Sequence, residues 1–211
     1  NLSLLRAALT NDGQGFADVA GVLHFLDNND TGKRFITVHG LADTRLAAVL
    51  LLTVPGIPLI YAGDEVGAAF EPYAHPAPIK WDDPDHLLPL YARLTQLRRE
   101  LPALRSAKLR LIRTAKDDSV LAYAREGSDP EQDVAVVLNF GDASFDLQIA
   151  SIQARGGSAG PWWAEDLLTG TRVGAPSDAE SIRLAPHGAL LFRHGERRYH
   201  CVVLADRRGR R

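Results

Sequence analysis

Apolar residues at helical spacing open the chain. Leu2, Leu5, Ala8 and Leu9 recur at three- and four-residue intervals until Asn11-Asp12-Gly13 breaks the pattern, which predicts a short helix ending there. Val22 to Leu26 is an apolar run of strand length, stopped by the polar cluster Asp27-Asn28-Asn29-Asp30-Thr31-Gly32. From Asp43 to Thr53 good helix formers carry a broad apolar face, with Asp43 placed as the N-cap and Pro55-Gly56 as the terminator. Ile57 to Tyr61 is a second strand-like run, ended by Ala62-Gly63-Asp64-Glu65. Strand, helix, strand with short links predicts a right-handed βαβ unit in a parallel sheet.

A loop from Val66 to about Asp85 follows, punctuated by Pro72, Pro76, Pro78 and Pro84. Structureless loops of that length are uncommon and usually functional. Leu87, Leu90, Tyr91, Leu94 and Leu97 then form one stripe of a helix reaching Glu100, with Pro89 tolerated in its first turn. After Pro102 the pattern changes. Leu109–Ile112, Val120–Ala124, Val134–Phe140, Phe145–Ile149, Trp163–Leu168, Ile182–Leu184 and Ala189–Phe192 are short strand-like runs separated by turn formers. They predict an antiparallel β-sandwich. The expected division is therefore an α/β part over residues 1–105, an all-β part over 106–193 and a basic tail, expected to be poorly ordered, over 194–211.

Composition narrows the function classes. The 211 residues carry 24 Lys and Arg against 26 Asp and Glu, a net charge of −2, so no basic field points to nucleic acid. The single cysteine, Cys201, excludes an internal disulfide and a four-cysteine zinc site. The longest uninterrupted apolar run, Leu46 to Leu52, is too short for a membrane span, so no membrane partner is expected. No leader pattern is visible at the start, a weak lean toward a cytoplasmic location. The sequence lacks methionine altogether, which favours a piece of a longer protein.

Candidate chemistry gathers at the polar cluster. Parallel strands deliver functional side chains at their C-terminal ends, where this cluster sits. By itself it reads first as a turn, since Asn, Asp and Gly are turn formers and helix caps. A calcium loop is excluded, because Thr31 occupies a ligand position and Val38 stands where the closing Glu is needed. His24 reads as a core histidine, His39 and His75 show no metal spacing, and Glu65 reads as a brace for its loop. Tyr61 and Trp81 suit the apolar faces of sugars, and equally suit packing beneath the long loop. Trp162-Trp163 reads as packing within the β part.

Phe25-Leu26-Asp27-Asn28-Asn29-Asp30-Thr31 resembles the strand-seven motif of the α-amylase family, glycoside hydrolase family 13, which reads Phe-x-x-Asn-His-Asp. Pro55 to Glu65 resembles that family's strand-eight segment, and Trp81-Asp82-Asp83-Pro84 its following loop. The resemblance extends from about Phe16 to Arg193. It implies the last β/α units of a (β/α)₈ barrel followed by a C-terminal antiparallel β-sandwich domain. It also implies a retaining enzyme acting on α-linked glucosides, with a nucleophile and an acid about 5–5.5 Å apart. Asp30 matches the family's third carboxylate, which stabilises the oxocarbenium-like transition state. Asn29, at the position usual for His, Tyr61 and Trp81 are the implied substrate-binding residues.

The family's nucleophile and acid/base come from strands four and five, and residues 1–105 fall well short of the roughly 250 of a whole barrel. This chain alone is therefore expected to be inactive. The partner implied is an α-glucan or oligosaccharide, with the oligomeric state left open. No cofactor is expected; a calcium ion, where such a protein holds one, would belong outside these residues. Two alternatives are a transglycosylating relative of the trehalose synthase or glucanotransferase type, and a non-catalytic family member serving as a binding module.

Overall fold

Two short parallel strands, three helices and a central antiparallel sheet follow from the hydrophobic pattern. The computed structural model describes residues 1–10, 15, 17–148, 165–166, 168, 170–172 and 181–193. Helix α1 spans Leu2–Leu9, and Asn1 caps it by accepting from the Ser3 amide. Strand β1 (Leu23–His24) and strand β2 (Ile57–Pro58) pair in parallel, Leu23 opposite Ile57, on either side of helix α2 (Phe35–Thr53). The expected βαβ unit is present. The ladder is shorter than the apolar runs that flank it, and beyond it the Ile57 and Leu59 amides still donate to the carbonyls of Val22 and His24.

Helix α2 departs from expectation at its start. It begins at Phe35, so Asp43 lies inside the helix and is not its cap. Gly40, with φ 78°, interrupts the helical backbone and separates a first turn from the apolar body of the helix. A second departure concerns length. Over 19 residues α2 is long and apolar enough on average to cross a membrane, although no uninterrupted run suggested it. Leu46, Ala47, Ala48, Val49, Leu51 and Leu52 are buried against the rest of the chain, the placement of a core helix.

Helix α3 spans Leu87–Glu100 and buries Leu87, Tyr91, Leu94 and Leu97. The Asp83 carboxylate accepts from the Leu87 and Leu88 amides at 2.8 and 3.1 Å, satisfying two first-turn donors. A single 3₁₀ turn, Pro102–Arg105, leads into the sheet. Strands β3 (Leu109–Ile112), β4 (Val120–Arg125), β5 (Val134–Asn139) and β10 (Ala189–Arg193) form one antiparallel sheet in the order β10-β5-β4-β3. Strand β6 (Phe145–Gln148) pairs with β9 (Ser181–Leu184), and β7 (Glu165–Asp166) with β8 (Thr171–Arg172). Of the run Trp163–Leu168, only Glu165–Asp166 is a described strand; Trp162, Trp163 and residues 194–211 lie outside the described residues.

Every residue of β4 and β5 is buried, so both faces of the central sheet are covered. Alternation sorts them. Leu121, Tyr123, Val134, Val136 and Leu138 join the core of α2 and α3. Val120, Ala122, Ala124, Ala135 and Val137 meet Leu147 of β6 and Ile182 and Leu184 of β9. The result is a layer of helices, the four-stranded sheet and the β6–β9 pair. The sandwich thus closes one of its faces with the helices that precede it.

Polar seams lock the first two layers. Arg98 on α3 donates to the carbonyls of Leu52, Val54 and Gly56 at 3.0, 3.1 and 2.6 Å. Arg125 on β4, fully buried, donates to those of Thr53, Leu104 and Ser106. At the rim, the His187 ring bridges Asp43 on α2 at 2.9 Å and Asp142 in the β5–β6 turn at 3.1 Å.

Replacing Arg125 by Met keeps apolar volume but strands the buried carbonyls of Thr53 and Leu104 and the part-buried one of Ser106. We expect a loss of about 3 kcal/mol or more in urea unfolding, since each buried unsatisfied group costs about 1–3 kcal/mol; a loss below about 1 kcal/mol would contradict the assigned role. The His187 seam is testable by pH. Its hydrogen bonds to Asp142 and Asp43 raise its pKa above 6.5. Its contribution is then present in full below the unfolded value and lost as pH rises through the folded value. The melting temperatures of the parent and His187→Gln should differ most near pH 6 and converge in mildly alkaline buffer.

Candidate functional site

The site is built where the chain leaves β1 and must turn into α2. Asp27, only 4% exposed, accepts the Phe35 amide at 2.9 Å and closes the loop from Asn28 to Arg34. Asn28 then forms an Asx turn, its side-chain oxygen accepting from the Asp30 amide at 2.8 Å. Thr31 donates to the Asn28 carbonyl at 2.9 Å and fixes the same turn from the other side. Asn29 and Asp30 are left exposed at the crest.

At the crest, the Asn29 amide donates to Asp30 at 3.1 Å and to the Tyr73 hydroxyl at 3.2 Å, and that hydroxyl lies 3.5 Å from Asp30. Tyr73 comes from the long loop and is 70% exposed. The strand-end turn and the proline-rich loop therefore converge on one carboxylate. Both donors to Asp30 are neutral, so its hydrogen bonds orient it without neutralising it.

Beneath the crest lies a buried guanidinium. Arg34, with no exposed surface, precedes α2 and donates to the carbonyls of Ala68 and Ala62 at 3.1 and 2.7 Å. The rings of Tyr61 and Phe70 lie 4.8 and 5.1 Å from its guanidinium carbon. Asp64 Oδ1 stands 3.6 Å from Arg34 Nη1. Gly63, with φ 95°, makes this approach possible, because a Cβ there would sit 2.8 Å from Arg34 Nη2 and 2.7 Å from Ala68 Cβ.

The expected residues are brought together only in part. Asn29 and Asp30 share the crest. Tyr61 is half-buried, with a ring face taken by Arg34. Trp81, 60% exposed, sits further along the long loop. Glu65 accepts the Gly63 amide at 2.9 Å, as a brace would. His24 is half-buried, and burial lowers its pKa. The His39 ring lies 4.3 Å from that of Phe35, and His75 faces Glu71 at 3.5 Å. Among the described residues, no group of three or more His, Cys, Asp and Glu is placed to hold a metal ion. Sequence reasoning missed Tyr73 and Arg34. The signal for Tyr73 was an aromatic residue in a long loop aimed at the strand ends; Arg34 gave no periodic signal.

Comparison with known proteins gives these features a lineage. No family model matches the chain. It is 32% identical over 182 residues to neopullulanase 2 of Thermoactinomyces vulgaris, a match covering 83% of this chain and 30% of that protein. It is 33% identical over 175 residues to the α-amylase MalA of Haloarcula japonica, covering 79% of this chain and 24% of the relative. The fold matches a crystal structure of an Anoxybacillus α-amylase with a TM-score of 0.74 at 19% identity, over 91% of this chain and 42% of that one. The chain thus spans about a third or less of the length of the curated relatives it matches. With parallel strands and helices followed by an antiparallel sandwich, it belongs to the α-amylase family, glycoside hydrolase family 13, and corresponds to the end of the family's barrel and its C-terminal β domain.

Proposed function

We propose that the whole protein is a retaining hydrolase of α-glucosidic linkages in starch or maltooligosaccharides. In this reading residues 1–105 supply strands seven and eight of its catalytic barrel, and residues 106–193 its C-terminal β domain. The observation that carries it is the exposed Asp30 carboxylate at the C-terminal end of β1, oriented by Asn29 and Tyr73. An acceptor-only anion suits hydroxyls of the sugar beside the cleaved bond. Its hydrogen bonds strengthen as positive charge develops on the ring, so it favours the transition state over the ground state.

Asn29 donates to a sugar hydroxyl but, unlike histidine, carries no charge. Tyr73, Tyr61 and Trp81 supply aromatic surface for the apolar faces of glucosyl units. The names of the relatives, a neopullulanase, a cyclomaltodextrinase and an α-amylase, favour hydrolysis over glucan transfer and over a purely binding role. The nucleophile and the acid/base of this mechanism lie outside these residues.

In the full-length protein, Asp30→Asn keeps the shape and removes the anion. Turnover of maltooligosaccharides should fall about 10²–10³-fold, with the loss mainly in kcat. Turnover within about threefold of the parent would remove Asp30 from the transition state. Tyr73→Phe keeps the aromatic face and deletes the two hydrogen bonds of the hydroxyl at the crest, from Asn29 and to Asp30. It should lower kcat/KM by about 5–30-fold, the worth of two exposed hydrogen bonds of about 0.5–1 kcal/mol each.

A further inference from the structure

Two carboxyl groups, Asp27 and Asp64, lie buried together with the Arg34 guanidinium. Asp27 comes from the end of β1 and Asp64, 6% exposed, from the turn after β2. Together with Tyr91 of α3 and Thr44 of α2 they line a cavity of about 10 Å³. Each carboxylate already holds a backbone amide: Asp27 that of Phe35 at 2.9 Å, Asp64 Oδ2 that of Tyr61 at 3.1 Å. Among the described residues, the charged and titratable groups facing the pair are Arg34, Glu65 and Tyr91, and Arg34 is the cation. Arg34 Nη1 stands 3.6 Å from Asp64 Oδ1, beyond hydrogen-bond reach, and neither atom has a hydrogen-bond partner.

We propose that Asp27 and Asp64 share one proton and act as a positioning pair that holds the turn carrying Asp30. Two adjacent buried carboxylates facing one cation cannot both ionise without leaving an uncompensated charge in low dielectric. One of them keeps its proton and donates to the other, as in other carboxyl dyads. Burial first, then the neighbouring Asp27, pushes Asp64 up to about 8. The pair fixes three pieces at once: the end of β1, the first amide of α2 and the end of β2. Because Asp27 grips Phe35, the residues from Asn28 to Arg34 form a closed loop, and Asp30 sits within it. The functional meaning rests on the reading of Asp30 given above, whereas the shared proton is a property of these residues alone.

The test uses the 211-residue chain with ¹³C-labelled aspartate, following side-chain carboxyl shifts from acid to alkaline pH and assigning them with Asp27→Asn and Asp64→Asn. One carboxyl of the pair should titrate above neutrality. The folded pKa is raised, so the stabilisation is present at low pH and lost as pH rises through about 8, and amide protection at Phe35 and Tyr61 should fall there. Asn at 64 mimics the protonated acid: Asp64→Asn should retain that protection within about threefold and abolish the alkaline loss. Asp64→Ala should raise exchange at both amides about tenfold or more. Carboxyls that both titrate within the ordinary carboxylate range would overturn the shared proton. Unchanged exchange in Asp64→Ala would overturn the positioning role, and lost protection in Asp64→Asn would overturn the shared proton; if Asp64→Ala does not fold, unchanged exchange at both amides on raising the pH of the parent through about 8 would overturn the positioning role instead. None of these readouts depends on turnover, so a failed glycosidase reading and a failed positioning pair give different results.

Discussion

The C-terminal end of α2 is the constraint on which the architecture depends. The last carbonyls of a helix have no partner within it, and here they end inside the protein, where water cannot serve them. Two arginines answer that demand from opposite layers. Arg98 reaches across from α3 to Leu52, Val54 and Gly56, and Arg125 reaches up from the sheet to Thr53. A guanidinium suits this position because it offers five donors in a rigid fork and complements the negative end of the helix dipole. Burial pushes the Arg125 pKa down to about 10, still well above neutrality, so the charge remains. With the carbonyls met in this way, Leu46, Leu52, Tyr123 and Val136 can share one apolar core. The barrel-derived helices and the sandwich are thus one packed body.

That anchoring leaves the other end of α2 free to serve the site. Gly40 breaks the backbone between the anchored body and the first turn, so the orientation of Phe35 is set locally and not by the helix axis. What sets it is Asp27, through the Phe35 amide, and Arg34, held by two carbonyls, two aromatic rings and Asp64. An exposed carboxylate on a loop has little reason to hold one geometry. Asp30 does so because its loop is closed from beneath by buried charge and steadied from above by Asn29 and Tyr73. Pre-organisation of this kind is what lets a charged group act on a transition state without first reorganising.

Where local pattern determines structure, the sequence was easily read. Helix α3 has a full apolar stripe and ends where expected, and β4 and β5 are apolar runs bounded by turn residues. The start of α2 was misread because its first turn is held by Asp27, eight residues upstream, and by no neighbouring cap. Asp43 looked like a cap and instead bonds His187, 144 positions away, a pairing no local pattern records. In the site, Asn29 and Asp30 were legible because a strand end delivers them. Tyr73 and Arg34 were not, since each owes its place to contacts between segments more than 25 residues apart.

The central sheet and the parallel pair differ in a way that bears on the chemistry. In the central sheet every residue of β4 and β5 is buried, so its hydrogen bonds lie in a dry interior. In the parallel pair, Leu23, Phe25, Ile57 and Ile60 are exposed, although parallel strands ordinarily have both faces covered. The charge that Asp30 offers is worth most where water is excluded, because the interaction of two charges scales inversely with the local dielectric. On the reading proposed for Asp30, a surface that covered Leu23 and Ile57 and also excluded water from that carboxylate would raise what its charge is worth to a cation developing on the sugar.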